Sequence, residues 1–255
     1  MHWRGLSVGL AAAALSAPSP AWALIDQTWV AEEGFDSGSC QAISPCATLA
    51  YAITQTMAGG TVIVSGSGYY GAATIDRSLT IRGEYGTPTI TARLTIAAGT
   101  TDRVVLDNLF IQCKAAARGV AYATGVTITQ AYDVLMKGVT VKDCAASSGV
   151  AAGVYLDVST QSRLTMYDCA LFNNTVGVWI TGAAGKAHLK MFRSLVLGNP
   201  ESGVRIVGSG NDVFLSDNSM LGSVKGLDLQ SGGTSKSFGN NALTSGDVPI
   251  ALPLY

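Results

Sequence analysis

The stretch Gly177-Val178-Trp179-Ile180 is one copy of a short motif that decides the fold of this 255-residue chain. A glycine, an aliphatic residue, a variable residue and a second aliphatic residue recur in that order. The copies are Gly125-Val126-Thr127-Ile128, Gly153-Val154-Tyr155-Leu156, Gly177-Val178-Trp179-Ile180, Gly203-Val204-Arg205-Ile206 and Gly226-Leu227-Asp228-Leu229. Successive copies begin 28, 24, 26 and 23 residues apart. Self-similarity at such a period predicts a repeat architecture.

Each repeat also carries a second and a third short apolar run. The second runs are Val134-Leu135-Met136, Leu164-Thr165-Met166, Leu189-Lys190-Met191 and Val213-Phe214-Leu215, and the third lie at Val139-Thr140-Val141, Leu171, Val196 and Met220. Most runs alternate apolar and polar residues, which is typical of strands with one buried face. Three short strands cannot bury their apolar faces alone, whereas stacked repeats close a common core. The sequence therefore predicts an all-β solenoid, and it lacks the Leu-x-x-Leu-x-Leu pattern of leucine-rich repeats.

The order of Gly-Val-x-Ile, Val-x-Met, a turn pair and Asn resembles the right-handed parallel β-helix proteins of the pectin-lyase-like superfamily. The segment from Cys46 to Ile53, followed by Gly59-Gly60-Thr61-Val62, resembles the helix and strand that cap the N-terminal end of those solenoids. Residues 74–83 are similar to a first coil of these proteins. The resemblance spans residues 46–246 and implies a right-handed parallel β-helix (β-solenoid) with an N-terminal capping α-helix. It does not choose among the lyases, hydrolases, epimerases and non-enzymatic adhesins of the superfamily.

The N-terminus has the pattern of a secretory signal peptide. Met1-His2-Trp3-Arg4 is short and positively charged, the segment from Leu6 to Ala14 is apolar, and Ala21-Trp22-Ala23 offers a cleavage site before Leu24. A retained N-terminal anchor is the alternative, and no later segment is predicted to span a membrane. The expected divisions are 1–23 (signal peptide), 24–60 (N-terminal segment and helical cap), 61–246 (parallel β-helix) and 247–255 (C-terminal tail, over the far end or along a side). Export would place the protein in the periplasm or outside the cell.

Charge and cysteine usage exclude several kinds of partner. The formal net charge is −1, so nucleic acid is not predicted to bind. Because export permits disulfides, we expect Cys40 and Cys46 to bridge. Cys113 and Cys144 fall within one position of each other on neighbouring coils; a bridge between them stays open and would leave Cys169 as a buried thiol. None of these spacings is that of a zinc site, and no metal or cofactor is predicted.

Stacking converts the repeat into columns of equivalent residues, about 4.8 Å apart. Asn218 and Asn241 fall in one inward turn column, and Asn174 and Asn199 fall in the next. We predict a short amide ladder at each, in which one side chain satisfies the next.

An outward column of the first strands is the candidate ligand-binding surface. It contains Tyr155, Trp179, Arg205 and Asp228, after Thr127. An aromatic face stacks on a pyranose ring, and neighbouring charges can bond its hydroxyls. Two alternatives are a cross-strand aromatic pair that only stabilises the sheet, and coverage by the loop 145–152.

A second outward column, at a turn, supplies the candidate catalytic residues Asp168, Arg193 and Asp217, after Asn108 and Gly138. A carboxylate, a guanidinium and a carboxylate in succession could transfer protons or hold an acidic sugar. The alternative is a solvated ladder of ion pairs, which contributes little to stability.

Other signatures of β-helix enzymes are missing from the sequence. There is no dense cluster of Asp and Glu for calcium, and the Asn-Thr-Asp, Asp-Asp and Gly-His elements of polygalacturonases are not found. Arg205-Ile206-Val207 lacks the lysine of their Arg-Ile-Lys element. His188, the one histidine that follows the signal peptide, is interpreted as a surface residue rather than a base.

These observations favour an exported, non-catalytic protein that binds carbohydrate or cell-envelope material, with a polysaccharide or an envelope glycan as its partner. One alternative is a polysaccharide lyase or glycoside hydrolase of the same superfamily, acting through the turn column. The other is a structural or adhesive surface protein. The sequence does not predict the oligomeric state.

Overall fold

The chain forms a parallel β-helix with three strands per coil. The computed structural model describes residues 24–84, 86–115, 119–182 and 186–252. The predicted signal peptide, residues 1–23, and the last three residues of the tail lie outside the described residues. Strand pairing is parallel throughout the three faces of the helix, as the stacked repeats predict.

The three faces are named here in the order in which each coil visits them. Face 1 contains β3 (Gly68–Ile75), β5 (Thr89–Ala97), β10 (Thr124–Gln130), β13 (Ala152–Val158), β16 (Val176–Gly182), β19 (Ser202–Val207) and β22 (Lys225–Gln230). Face 2 contains β1 (Ile25–Val30), β2 (Thr56–Val64), β4 (Leu79–Gly83), β6 (Arg103–Asp107), β11 (Asp133–Lys137), β14 (Ser162–Tyr167), β17 (Ala187–Phe192), β20 (Asp212–Ser216), β23 (Thr234–Ser237) and β25 (Ile250–Ala251). Face 3 contains β7 (Phe110–Gln112), β12 (Thr140–Lys142), β15 (Ala170–Phe172), β18 (Leu195–Leu197), β21 (Ser219–Leu221) and β24 (Ala242–Leu243).

Faces 1 and 3 belong to one sheet because β5 is long enough to pair with a strand of each face. Its first residues pair with β7 on face 3, and its last residues pair with β10 on face 1. A short antiparallel pair, β8 (Lys114–Ala115) and β9 (Val120–Ala121), stands outside the coils.

The recurring glycine of the motif allows neighbouring coils to approach closely. A Cβ atom added to Gly177 would lie 2.4 Å from the carbonyl oxygen of Gly203 and 2.7 Å from Cγ1 of Val196. Gly153 stands in the same relation to Gly177, with 2.9 Å between such a Cβ and the Gly177 oxygen. Any side chain at these positions would push the coils apart, which explains why the repeat keeps glycine there.

The aliphatic positions of the motif form the core. Val154 and Leu156 pair with Val178 and Ile180 of the next coil, and all four side chains are fully buried. Burying a side chain of this size contributes about 1.5–3 kcal/mol. The stacked aliphatic columns are therefore the main source of stability.

Both asparagine ladders are present, but their hydrogen bonds run mainly from side chain to backbone. The Asn174 backbone N–H donates to Oδ1 of Asn199 at 2.9 Å, and Nδ2 of Asn199 donates to the Leu171 carbonyl at 3.1 Å. At the other ladder, both the backbone and the side-chain amide of Asn218 donate to Oδ1 of Asn241, at 2.8 and 2.9 Å. Of these two ladders, the second alone contains the predicted hydrogen bond between two asparagine side chains. In the first ladder the side-chain amide of Asn199 bonds backbone groups instead, because buried backbone groups at a turn also need partners.

The N-terminal helix is shorter than the predicted cap. It spans α1 (Leu49–Gln55) and is capped by the preceding Thr48, whose hydroxyl accepts from the Tyr51 N–H at 3.1 Å. The chain then turns into β2, because Thr56 is buried and its hydroxyl bonds that of Thr28 at 2.8 Å. The segment before the helix supplies β1, so residues 24–60 add a strand to face 2 as well as a cap.

The described part of the C-terminal tail also continues the β-helix. Ile250 and Ala251 pair in parallel with β23, so this part of the tail extends face 2 instead of covering the end. Within the described residues, no helix is long and apolar enough to cross a membrane.

Two disulfides lie near the N-terminal half of the solenoid. Cys40 bridges Cys46, and Cys113 bridges Cys144 between neighbouring coils. Cys169 is a buried thiol, and burial is the main cause that raises its pKa to about 11. The bridges are compatible with an oxidising compartment outside the cytoplasm.

Candidate functional site

The predicted outward column on face 1 is continuous in the structure. Tyr155, Trp179, Arg205 and Asp228 are register partners on four successive strands. The rings of Tyr155 and Trp179 have centroids 6.0 Å apart and planes at 76°. In such an edge-to-face pair, one of the two rings keeps both of its faces clear of the other.

The Tyr155 side chain lies along its own strand. Its hydroxyl donates to Oδ2 of Asp157, two residues further on the same face, at 3.2 Å. Burial is the first cause that raises the pKa of Tyr155 to about 12, and the charge of Asp157 adds to it. The phenol is therefore neutral near pH 7, and the exposed Asp157 carboxylate stands at the rim of the column.

Arg205 joins the aromatic and the charged halves of the column. Its guanidinium carbon lies 4.9 Å from the centre of the Trp179 ring, which is a cation–π distance. Its Nε donates to Oδ2 of Asp228 at 2.9 Å, and the Lys225 ammonium donates to the other carboxylate oxygen at 2.7 Å. Burial alone would raise the pKa of Asp228, but the hydrogen bonds from Lys225, Arg205 and Gln230 hold it below its usual value.

Asp228 is not placed as the sequence analysis expected. Its side chain is only 2% exposed, because Arg205, Lys225 and Gln230 close over it. Asp228 therefore lies beneath the surface of the column, where it holds Arg205 in position against Trp179, and its direct contact with a ligand stays a prediction. The indole nitrogen of Trp179 is also buried and has no hydrogen-bond partner among the described residues.

A cavity of about 270 Å³ lies beside the charged end of this column. Its lining residues are Pro200, Glu201, Ser202, Arg205, Val224, Lys225 and Asp228. Glu201 and Lys225 are exposed at its edge, and Glu201 accepts from Arg205 at 3.0 Å. The cavity therefore offers both donors and acceptors, and Arg205 connects it to Trp179.

The turn column does not form a single reactive centre. Each of its five members has a positive φ, between 45° at Arg193 and 59° at Gly138. Arg193 donates to both oxygens of Asp168, at 2.8 and 2.9 Å, and these hydrogen bonds hold the pKa of Asp168 below its usual value. Asp217 instead accepts from Asn240, at 2.9 Å. Because its arginine stabilises the ionised form, Asp168 is a weak proton acceptor. Asp217 bonds Asn240 and takes no part in the pair of Asp168 and Arg193.

The structure brings together a second group of residues that the sequence analysis did not select. His188, Arg163, Lys190 and Phe214 line an open groove of about 250 Å³ on face 2, with Gln161, Leu189 and Asp212. Nδ1 of His188 lies 2.5 Å from Oδ1 of Asp212. Aligning the second strands would have placed Arg163, His188 and Asp212 in one column, since each precedes the apolar run of its strand.

Clusters of titratable residues give no metal centre in the described ranges. Among those residues, no three His, Cys, Asp or Glu side chains are close enough to hold an ion together.

Comparisons with known proteins agree with this architecture. A family model described as "right handed beta helix region" matches residues 61–220, more than half of the chain. The match begins within β2 and ends within β21, so it covers most of the coils, the groove on face 2 and the face 1 column as far as Arg205; Lys225 and Asp228 lie beyond it. Comparison with curated proteins found no match. The chain therefore belongs to the family of right-handed β-helix proteins.

Proposed function

We propose that this protein is an exported, non-catalytic β-helix that binds carbohydrate or cell-envelope material on face 1. The contact surface is the rim formed by Tyr155, Asp157, Trp179 and Arg205, and Asp228 supports it from beneath. A signal-peptide pattern at residues 1–23 and two disulfides support export to the periplasm or beyond.

The observation that carries the proposal is the perpendicular arrangement of Tyr155 and Trp179. The edge-to-face contact makes a corner of two rings on an outward sheet face. Carbohydrates bind to such corners because their C–H faces pack on a ring while their hydroxyls reach polar groups at the rim. Asp157 and Glu201 supply acceptors at the two ends, and Lys225 supplies a donor.

The state of the turn column supports a binding function over catalysis. Asp168 and Arg193 satisfy one another, and Asp217 bonds Asn240. A general acid must carry a proton near neutral pH, whereas the lowered pKa of Asp168 keeps its proton off. The column is therefore better suited to stabilising the turn than to breaking a glycosidic bond.

The test is retention of the purified protein on a panel of neutral and acidic polysaccharides, with product formation followed in parallel. Tyr155→Ala and Trp179→Ala should each weaken retention about tenfold or more, since each removes an aromatic anchor. Tyr167→Ala is the matched control, because Tyr167 forms an aromatic pair with Phe192 on face 2 and leaves face 1 unchanged.

Loss of retention in the face 1 variants, with retention kept in the control, would support the proposal. Equal losses in all three variants would contradict it, because the aromatic residues would then act through stability alone. Unsaturated or reducing-end products would point to the lyase or hydrolase alternative. No retention on any polysaccharide would point to the structural or adhesive alternative.

A further inference from the structure

The groove on face 2 has an excess of positive charge at one place. Arg163 and Lys190 are both exposed and line it from neighbouring strands. Lys190 follows His188 by two residues, and His188 pairs with Arg163 across the strands. This register places the Cα atoms of Arg163 and Lys190 about 8 Å apart, so two long side chains can reach one ligand group.

Among the described residues, no carboxylate is paired with either cation. Arg163 lies over the ring of Tyr132, 5.2 Å from its centre, and donates to the Tyr132 hydroxyl at 3.2 Å. Within the ranges that the structure describes, neither Arg163 nor Lys190 forms an ion pair with a carboxylate. By contrast, Arg193, on the same coil as Lys190, and Arg205, on the following coil, do so. The acidic residue in the groove, Asp212, is bound to His188.

The pair of His188 and Asp212 fixes the direction of the imidazole. An ionised carboxylate can only accept, so the hydrogen of this contact lies on Nδ1 of His188. The other ring nitrogen, Nε2, is then left to accept a hydrogen bond in the neutral ring. Phe214 adds an apolar wall beside these polar groups.

We infer that this groove is a second binding site, for a sugar unit that carries an anionic substituent. Arg163 and Lys190 bind the oxygens of the sulfate, phosphate or carboxylate group, and Nε2 of His188 accepts from a neighbouring hydroxyl. Phe214 packs against the carbon face of the ring. The site lies on face 2, so it is independent of the proposed contact surface on face 1.

Binding can be followed at His188 itself. The chain has two histidines, His2 and His188, so the ring C2 proton of His188 gives a resolvable NMR signal that His188→Gln assigns. The probes are dextran sulfate, uncharged dextran with the same backbone, and inorganic sulfate. The variants are Lys190→Ala and Arg163→Gln. Lys236→Ala is the matched control, since Lys236 is an exposed lysine in the same outward column, two coils away and outside the groove.

The expected result is a shift of the His188 signal with dextran sulfate and none with dextran. Each groove variant should weaken binding about threefold to fivefold, and the control should bind like the wild type. A shift with inorganic sulfate as well would support the site and show that the anion alone suffices. A shift with the polymer alone would support it and show that the sugar is needed.

Equal weakening in the Lys236 control would overturn the inference, because the attraction would then be a property of the whole surface. Binding of dextran sulfate without any shift at His188 would overturn it too, since the ligand would lie elsewhere. No binding of any anionic probe would have the same consequence. Each of these outcomes leaves the test of face 1 unaffected.

Discussion

The guanidinium of Arg205 packs on the ring of Trp179, with 4.9 Å between its central carbon and the ring centre. The same group donates to Asp228 on the next coil, so one side chain links three neighbouring coils on face 1. This link explains why the charged half of the outward column is packed rather than open. It also makes the ionisation of Asp228 a determinant of stability.

Replacement of Asp228 by Asn should lower stability at neutral pH by about 3 kcal/mol. The variant removes a buried carboxylate that three donors satisfy, and it leaves the partly buried Arg205 with Glu201 as its one remaining carboxylate partner among the described residues. The folded-state pKa of Asp228 is lowered, so its contribution is complete above the unfolded-state pKa of about 4. That contribution is lost as the pH falls through the folded-state value.

Melting curves of both proteins at pH 7, 5 and 3 check this prediction. The difference between wild type and Asp228→Asn should be large at pH 7 and 5 and should shrink at pH 3. Asp26→Asn, at an exposed position near the N-terminus of β1, is the control and should differ little from wild type at any pH. A difference that persists unchanged at pH 3 would show that packing of the side chain, not its charge, is responsible.

Gly177 should not tolerate even one added methyl group. In Gly177→Ala the new carbon would meet the Gly203 carbonyl oxygen and the Val196 side chain, and we expect a loss of about 2 kcal/mol. Gly66→Ala is the matched control, because a Cβ at Gly66 meets nothing within 4 Å. Urea unfolding of the two variants should show a reduced midpoint for the first and an unchanged or slightly raised one for the second. Similar midpoints would mean that the coils can move apart at little cost.

The buried Asn199 should be more important for stability than the exposed Asn240. Asn199→Ala removes the acceptor of the buried Asn174 N–H and the side-chain donor to the Leu171 carbonyl, which should cost about 2–4 kcal/mol. Asn240→Ala removes bonds to Ser216 and Asp217 at the surface, where water replaces them, and should cost less than about 1 kcal/mol. Thermal unfolding of the two variants gives the comparison, and equal losses would rule out a special role for the ladder.

The periodic features of the fold could be predicted from the sequence because they depend on spacing alone. The recurrence of Gly153, Gly177 and Gly203 gives the coil length, and it places Tyr155 beside Trp179 in register. Export predicts the Cys40–Cys46 bridge, whereas the column positions of Cys113 and Cys144 allow their bridge without requiring it; the structure contains both. Spacing could not predict that α1 ends at Gln55, since this depends on a hydrogen bond between Thr56 and Thr28 on different strands.

The candidate sites depend on side-chain packing, which columns do not specify. Asp228 is outward in the repeat, yet Lys225 and Gln230, from outside its column, close over it. No sequence motif marks His188. Its possible role is visible only in the structure, where its Nδ1 atom contacts Asp212 of the next coil. The partners of long polar side chains thus depend on packing between coils, which the spacing of the repeat does not specify.

The Arg193–Asp168 and Arg205–Asp228 pairs should respond differently to loss of the arginine. Arg193 and Asp168 are 58% and 49% exposed, so water and salt already screen their attraction, and Arg193→Ala should lower the melting temperature by less than about 2 °C. Arg193 also has a φ of 45°, which is unfavourable for alanine as well, so the backbone strain is common to both proteins. Arg205 is 15% exposed and its partner 2%, so Arg205→Ala should lower the melting temperature by several degrees more.

Repeating both melts in 1 M NaCl separates the causes. Salt should remove most of the small Arg193 effect, because exposed pairs are screened within a few ångströms at that ionic strength, and it should leave most of the Arg205 effect. An Arg193→Ala loss as large as that of Arg205→Ala, and insensitive to salt, would show that the turn column stabilises the coils through packing. Such a result would also remove the physical ground for treating Asp168 and Arg193 as a surface pair.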